Sequence, residues 1–197
     1  YKRQGKSFAT RIKGFGPAKI IAYDPYIDRT TADLFGVELV DLDELLKTSD
    51  FITLHAPSTE ETHHIINEEA FSKMKSNCIL INCARGPLVD PSALFNALKN
   101  NIIPAAGIDV TEKEPISSED PLLSLDNLII TPHTAGSSSV SREVGTRKQA
   151  ENVIKILKGE APHGLANPEV IKTIALMKTK ANNRWSNVDL FDTSLKV

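Results

Sequence analysis

Six short segments that are almost wholly apolar recur along the chain, and helix-forming stretches separate them. They are Lys19–Tyr23, Val37–Val40, Phe51–Leu54, Cys78–Asn82, Pro104–Ile108 and Leu128–Ile130. Strands without polar alternation are normally covered on both faces, and strands alternating with helices pair in parallel. The pattern predicts an α/β fold on a doubly wound parallel sheet. Helix punctuation agrees with it. Asp41 or Asp43 can cap the helix that follows, Asn67 opens a short one, and Asp90-Pro91 supplies an N-cap and an N1 proline. A long helix is expected from Ser137 to Lys158, closed by Gly159. Ala161–Pro168 reads as a linker, Glu169–Lys180 as a C-terminal helix, and the polar residues from Asn182 onward, with Trp185, as a tail. The expected division is therefore 1–160 and 161–197.

Right-handed crossovers set the C-terminal ends of parallel strands along one edge, where open α/β sheets bind ligands. That edge receives Asp24, His55, Arg85, Asp109 and His133. Three segments there carry complementary chemistry: Asn82-Cys83-Ala84-Arg85-Gly86, Asp109-Val110 leading to Glu114-Pro115, and Thr131-Pro132-His133. An anion clamp, an acid/base group and a carboxylate to tune it are the parts needed to reduce a keto acid. Histidine titrates near neutral pH and can give or take the proton. A guanidinium fork suits a carboxylate. Taken singly, each has a plainer account: His133 a loop histidine, Arg85 a surface arginine, Glu114 a turn residue.

Composition narrows the classes of function. A chain of 197 residues, 41% hydrophobic, fits one large domain or one domain with a tail. A net charge of −2 leaves no basic excess for nucleic acid or an anionic membrane. No apolar stretch reaches the roughly 18–20 residues of a membrane span, and no charged-then-apolar leader opens the chain, so a cytoplasmic location is expected. Cys78 and Cys83 flank one strand, which would hold them about 16 Å apart, beyond the roughly 7 Å that a disulfide tolerates; they read as reduced thiols. No metal site is expected, because no second Cys/His pair has zinc spacing. His63-His64 and His163 read as solvated.

A dinucleotide fold opens with a strand, then G-x-G-x-x-G, then a helix. Here Tyr1-Lys2-Arg3-Gln4-Gly5 stands directly at a helix start. Gly5 fits the third glycine, Lys2 stands where the second is expected, and the opening strand is lacking. Gly14-Phe15-Gly16-Pro17 ends the helix instead of opening one. Asp24 lies 19 residues past Gly5 and fits the acidic residue that bonds the ribose hydroxyls. A carboxylate there repels a 2′-phosphate, so NAD is favoured over NADP. Its plainer account is a turn former before Pro25. Arg29 is placed in a turn and given little weight.

From about Gly5 to Val170 the chain resembles the nucleotide-binding domain of the D-isomer-specific 2-hydroxyacid dehydrogenases. The matching segments are Ala22-Tyr23-Asp24-Pro25-Tyr26, Leu54-His55-Ala56-Pro57 with Thr62, Asn82–Gly86, Asp109-Val110 with Glu114-Pro115, and Thr131-Pro132-His133-Thr134-Ala135-Gly136. The resemblance implies a Rossmann-type fold and an NAD-dependent oxidoreductase acting on D-2-hydroxy acids. It implies that His133 exchanges a proton with the substrate, that Glu114 pairs with the imidazole, and that Arg85 binds the substrate carboxylate. It implies that Asp109 contacts the nicotinamide carboxamide, that Thr62, Cys83 and Ala84 line the cofactor, and that His55 and Ala56 lie beside it. Arg3 and Gln4 fall at the pyrophosphate. Arg85, His133 and Gly136 complete the implied cofactor set. Formate dehydrogenases of this superfamily carry glutamine at the place of Glu114, so Glu114 implies hydroxy-acid chemistry. A homodimer through a region like Leu88–Asn100 and the segment after Glu114 is also implied. Two other readings remain open: an NAD-sensing, corepressor-like binding protein, and an inactive piece lacking the amino-terminal part that the family places before this domain.

Overall fold

The computed structural model describes residues 3–158, 160, 162–165, 167 and 169–170. The expected stop at Gly159, nearly all of the helix over 169–180 and the tail with Trp185 lie outside the described residues. Contacts divide the chain into two compact units, Tyr1–Ala135 and Gly136–Val197.

The first unit contains α1 (Arg3–Ile12), β1 (Ile21–Ala22), α2 (Arg29–Leu34), β2 (Glu38–Leu39), α3 (Leu42–Thr48), β3 (Phe51–Leu54), α4 (Glu68–Lys73), β4 (Ile79–Asn82), α5 (Pro91–Lys99), β5 (Ala105–Ile108) and β6 (Leu128–Ile130). In the second unit, α6 (Ser139–Leu157) is capped by the Ser138 side chain, which accepts from the Ser141 amide. All six expected strands are present, several shortened at their ends. Asp41, Asn67 and Asp90 cap α3, α4 and α5, accepting backbone N–H groups at 2.7, 3.0 and 2.8 Å. One tight 3₁₀ turn follows α1, and Gly16 closes it at φ 67°, a left-handed conformation that glycine adopts without a steric penalty.

Helix α2 was not expected, and Arg29 is its first residue instead of a turn residue. The segment Arg-Thr-Thr-Ala-Asp-Leu has two β-branched residues and no apolar stripe, so periodicity is silent there. The helix is set by its cap: the Asp28 carboxylate accepts from the Thr31 amide at 2.8 Å and from its hydroxyl at 2.7 Å.

All strand pairs are parallel, in two sheets: β1-β2 and β3-β4-β5-β6. Among the described residues no strand joins β1 to β3. In the larger sheet Ile52, Leu80, Ala106 and Leu128 share one row, and Leu54, Asn82, Ile108 and Ile130 share another. Both rows face the same side. There they pack with Phe71 of α4 and with Leu94 and Leu98 of α5 in a core that excludes water. The expectation of cover on both faces is fully met on that side alone. On the other, Ile79, Ile81 and Ala105 are half-buried, while Phe51 and Ile129 are exposed. Apolar run length marks a strand as core-forming, but it does not say what covers the second face.

Candidate active site

Strands β4, β5 and β6 end side by side, so the segments that leave them begin as neighbours. The ladder continues past the strands: Asp109 N–H donates to the Asn82 carbonyl at 2.9 Å, and Thr131 N–H to the Ile108 carbonyl at 3.0 Å.

His133 sits in the left-handed region at φ 53°, which costs a non-glycine residue on the order of 1 kcal/mol. The surroundings hold it there. Its amide donates to the Asp109 carbonyl at 2.8 Å and to the Thr131 carbonyl at 3.0 Å. The Asp109 side chain is only 4% exposed and grips the same loop. Its Oδ1 accepts from the Thr131 hydroxyl and from the Thr134 amide at 2.8 Å; Oδ2 accepts from the Ala135 amide at 2.9 Å. Burial opposes ionisation of Asp109 and is the largest single influence on it. The Thr131 hydroxyl and the Ala135 and Thr134 amides together outweigh it and hold the carboxyl below its ordinary range.

The gripped loop presents the imidazole to Glu114, with His133 Nδ1 and Glu114 Oε2 2.8 Å apart. The other carboxylate oxygen accepts from the Thr111 amide at 3.2 Å. The bond to His133, aided by the one from Thr111, keeps the Glu114 carboxyl below its ordinary value despite partial desolvation. Both side chains remain about half exposed, at 51% and 40%, so the pair faces solvent.

Arg85 is positioned from below by Asn82, which is 1% exposed. Asn82 donates its amide to the Arg85 carbonyl at 2.9 Å and accepts from the Ala84 amide at 3.0 Å, closing the turn after β4. Gly86 then packs so tightly that a Cβ there would lie 2.0 Å from the Thr111 carbonyl oxygen. The backbone carrying Arg85 is thereby locked against the segment carrying Glu114. The exposed guanidinium donates to the Ala84 carbonyl at 2.6 Å. The structure thus joins His133 and Glu114 directly, and Arg85 to them through backbone.

Most of the residues expected at the cofactor follow strand ends of the first unit. Asp24 stands two residues past β1 and accepts from the Tyr26 amide at 2.9 Å, so it also forms the turn. The Tyr26 hydroxyl donates to Glu61, tying this turn to the loop of Thr62. The Thr62 hydroxyl closes its own loop on the Pro57 carbonyl at 2.7 Å. His55 and Ala56 follow β3. The Phe8 ring of α1 stands 5.4 Å from the His55 ring, a Cβ added at Gly5 would lie 3.6 Å from the His55 side chain, and Thr53 Oγ1 is 3.3 Å from its Nε2. Burial lowers the His55 pKa and so favours the neutral ring. Arg3 opens α1 and Gln4 is exposed on its first turn. Ala84 is buried. Cys83 is exposed and, like Cys78, free; partial desolvation of its sulfur and the Asp109 carboxylate raise its thiol pKa, which does not suit a nucleophile. Gly136 opens the second unit.

Sequence reasoning overlooked two features. Asn82 was read as a strand end, although its alternation with buried Leu80 places it on the core side. The second is the convergence of His63 and His64 on Glu112, with Nε2–Oε1 distances of 3.6 and 2.9 Å. Local spacing holds no signal for a partner 48 residues away. A cleft lined by Lys13, Lys19, Arg29, Asp33 and Glu38 contains none of the expected site residues. Among the described residues, no helix is long and apolar enough to cross a membrane.

A family model described as "D-isomer specific 2-hydroxyacid dehydrogenase, NAD binding domain" matches residues 2–135. The chain is 46% identical over 170 residues to a glyoxylate reductase of Korarchaeum cryptofilum, covering 86% of this chain and 51% of that protein. It is 46% identical over 179 residues to a D-3-phosphoglycerate dehydrogenase of Methanocaldococcus jannaschii, covering 90% of this chain and 34% of that one. The chain therefore spans about half of the first relative and about a third of the second. Among solved structures, a D-lactate dehydrogenase with NAD+ from Lactobacillus jensenii superposes with a TM-score of 0.74 at 30% identity, covering 82% of this chain and 52% of that one. The TT0316 protein of Thermus thermophilus gives a TM-score of 0.74 at 36% identity, covering 81% of this chain and 49% of that one. The strand-end triad, the Rossmann-type parallel sheet and the profile match together place this chain in the D-isomer specific 2-hydroxyacid dehydrogenase family, as its NAD-binding domain.

Proposed function

We propose that the chain forms the cofactor side of an NAD-dependent oxidoreductase acting on the CH–OH group of D-2-hydroxy acids, like a phosphoglycerate dehydrogenase or a glyoxylate/hydroxypyruvate reductase. The observation that carries this reading is the His133–Glu114 pair at 2.8 Å, held at the ends of β5 and β6 by Asp109.

The donor set fits a dinucleotide: a carboxylate at the end of β1, a helix opening at residue 3, and small residues past β3 and β4. When bound, NADH supplies the hydride. Asp24 would accept the ribose hydroxyls, with Arg3 and Gln4 at the pyrophosphate and His55, Ala56, Thr62, Cys83, Ala84 and Gly136 along the rest. Asp109 has three donors on its two oxygens and retains room for one more from the carboxamide.

Glu114 holds His133 through Nδ1, which leaves Nε2 to face the substrate. In the reductive direction hydride adds to the carbonyl carbon as Nε2–H gives its proton to the carbonyl oxygen; oxidation reverses both transfers. Arg85 binds the substrate carboxylate and polarises the carbonyl. The test is steady-state oxidation of NADH with glyoxylate, hydroxypyruvate, phosphohydroxypyruvate and pyruvate, alongside direct titration of NADH. Turnover is expected with at least one keto acid. NADH binding without turnover of any of them would reduce the reading to a binding module or an inactive piece.

The same reading takes residues 1–160 as the NAD-binding part and 161–197 as the substrate-domain side, and it includes a cytoplasmic homodimer. Exposed Ile102 and Leu123, near the 88–100 segment, support the dimer. Sedimentation of a monomer at micromolar concentration would remove it.

A further inference from the structure

We propose that His63, His64 and Glu112 form a binding site for a divalent first-row transition-metal ion of the zinc and nickel class. The site was not expected from sequence. It stands whether or not the chain turns over a keto acid.

One ligand atom from each residue lies within 4.8 Å of the other two. Glu112 Oε1 is 2.9 Å from His64 Nε2 and 3.6 Å from His63 Nε2. Donor atoms at tetrahedral angles around a zinc ion, bound at roughly 2.0–2.1 Å, are about 3.3 Å apart, and the two observed separations bracket that spacing. Two imidazoles and one carboxylate make a borderline donor set. It suits zinc or nickel better than magnesium or calcium, which require more oxygen ligands. Three protein ligands leave a position for water.

The fold builds this convergence. Neighbouring residues in extended backbone point to opposite faces, so two adjacent histidines do not ordinarily share a ligand. His64 adopts φ 49°, in the left-handed region, and the two rings stack with centroids 3.9 Å apart. That backbone is pinned: His64 N–H donates to the Pro87 carbonyl at 2.8 Å, and Ile66 N–H to the Leu88 carbonyl at 3.0 Å. From the other side, Gly86 packs against Thr111 and the Glu112 amide so closely that a Cβ would lie 2.5 Å from that nitrogen. Both halves of the site are therefore fixed to the same Gly86-Pro87 pair. Gly86 follows Arg85, and Glu112 lies two residues before Glu114, so an ion here clamps the backbone between two residues of the active site.

Isothermal titration of ZnCl2, and separately NiCl2, into the purified protein in a non-chelating buffer tests the site. One equivalent should bind, and ZnCl2 should raise the melting temperature. His64→Gln and Glu112→Gln should each weaken binding by about tenfold or more, since even loss of an outer partner of a ligand costs about 10–100-fold, whereas His133→Gln should bind as the wild type does. The zinc-induced rise in melting temperature separates a lost site from a weakened fold, because each variant is compared with itself. Absence of binding to the wild type would overturn the proposal. So would undiminished binding in both His64→Gln and Glu112→Gln. Loss of binding in His133→Gln would overturn it as well, by placing the ion on the His133–Glu114 pair.

Discussion

Two histidines stand just past the ends of parallel strands, and their surroundings give them opposite characters. His55 follows β3, half-buried beside Phe8, and burial favours its neutral form. His133 follows β6 on a left-handed backbone, about half exposed, with Nδ1 on the Glu114 carboxylate. A strand end supplies position to both. His133 has, in addition, a carboxylate partner and an exposed face. An edge of a parallel sheet is thus a place to put functional groups, and what each becomes depends on what the chain folds against it.

His133→Gln breaks the contrast most directly. It should lower kcat for keto-acid reduction by about 10²–10⁴-fold, the usual worth of a positioned acid/base group, with NADH affinity unchanged by titration. Loss of NADH affinity as well would make His133 structural. Asp109→Ala should come next. It leaves the Thr131 hydroxyl and two loop amides without their acceptor, and a small misplacement of His133 can cost on the order of 10²-fold. The loop also loses three hydrogen bonds, each worth about 0.5–1.5 kcal/mol net, so the urea midpoint should fall; an unchanged midpoint would mean that the loop is held by other contacts.

Glu114→Gln keeps the acid/base nitrogen and should cost on the order of 10-fold in kcat, less than removal of the histidine. The pH dependence has a defined sign. A carboxyl whose pKa is lowered by folding contributes stability above its unfolded value and loses it as pH falls through the lower folded value. The His133–Glu114 bond should therefore survive acidification through the ordinary glutamate range and break only below it. An NMR titration of the Glu114 side-chain carbonyl would show this, and its midpoint should rise toward the ordinary value in His133→Gln. A midpoint indifferent to that substitution would sink the pairing. The smallest effect is expected of His55→Gln, with kcat within about threefold of wild type because no acid/base group is lost. A loss matching that of His133→Gln would erase the difference between the two strand ends.

Much of this site could be read before any fold was known. Arg85, Glu114 and His133 each follow an apolar run of strand length, and Asp41, Asn67 and Asp90 mark helix starts by side-chain chemistry that acts within three residues. Helix α2 escaped because its sequence has no apolar stripe. Asn82 escaped because a buried amide that closes a turn looks, in sequence, like any polar strand end. Asp109 was expected at the cofactor, and the structure also makes it the anchor of the 131–135 loop.

The amino-acid sequence by itself determined the order and kind of the elements, the parallel pairing and the edge on which the ionisable residues gather. Run length, capping and crossover handedness are local or chiral properties that the chain carries wherever it goes. Tertiary structure alone decided that Glu114 reaches the Nδ1 of His133, that Gly86 brings Arg85 against the segment bearing Glu114, and that Glu112 meets two histidines 48 and 49 positions earlier. Those meetings depend on the depth and register at which distant segments pack. That is set by the close-packing of the whole first unit, and no local pattern of residues encodes it.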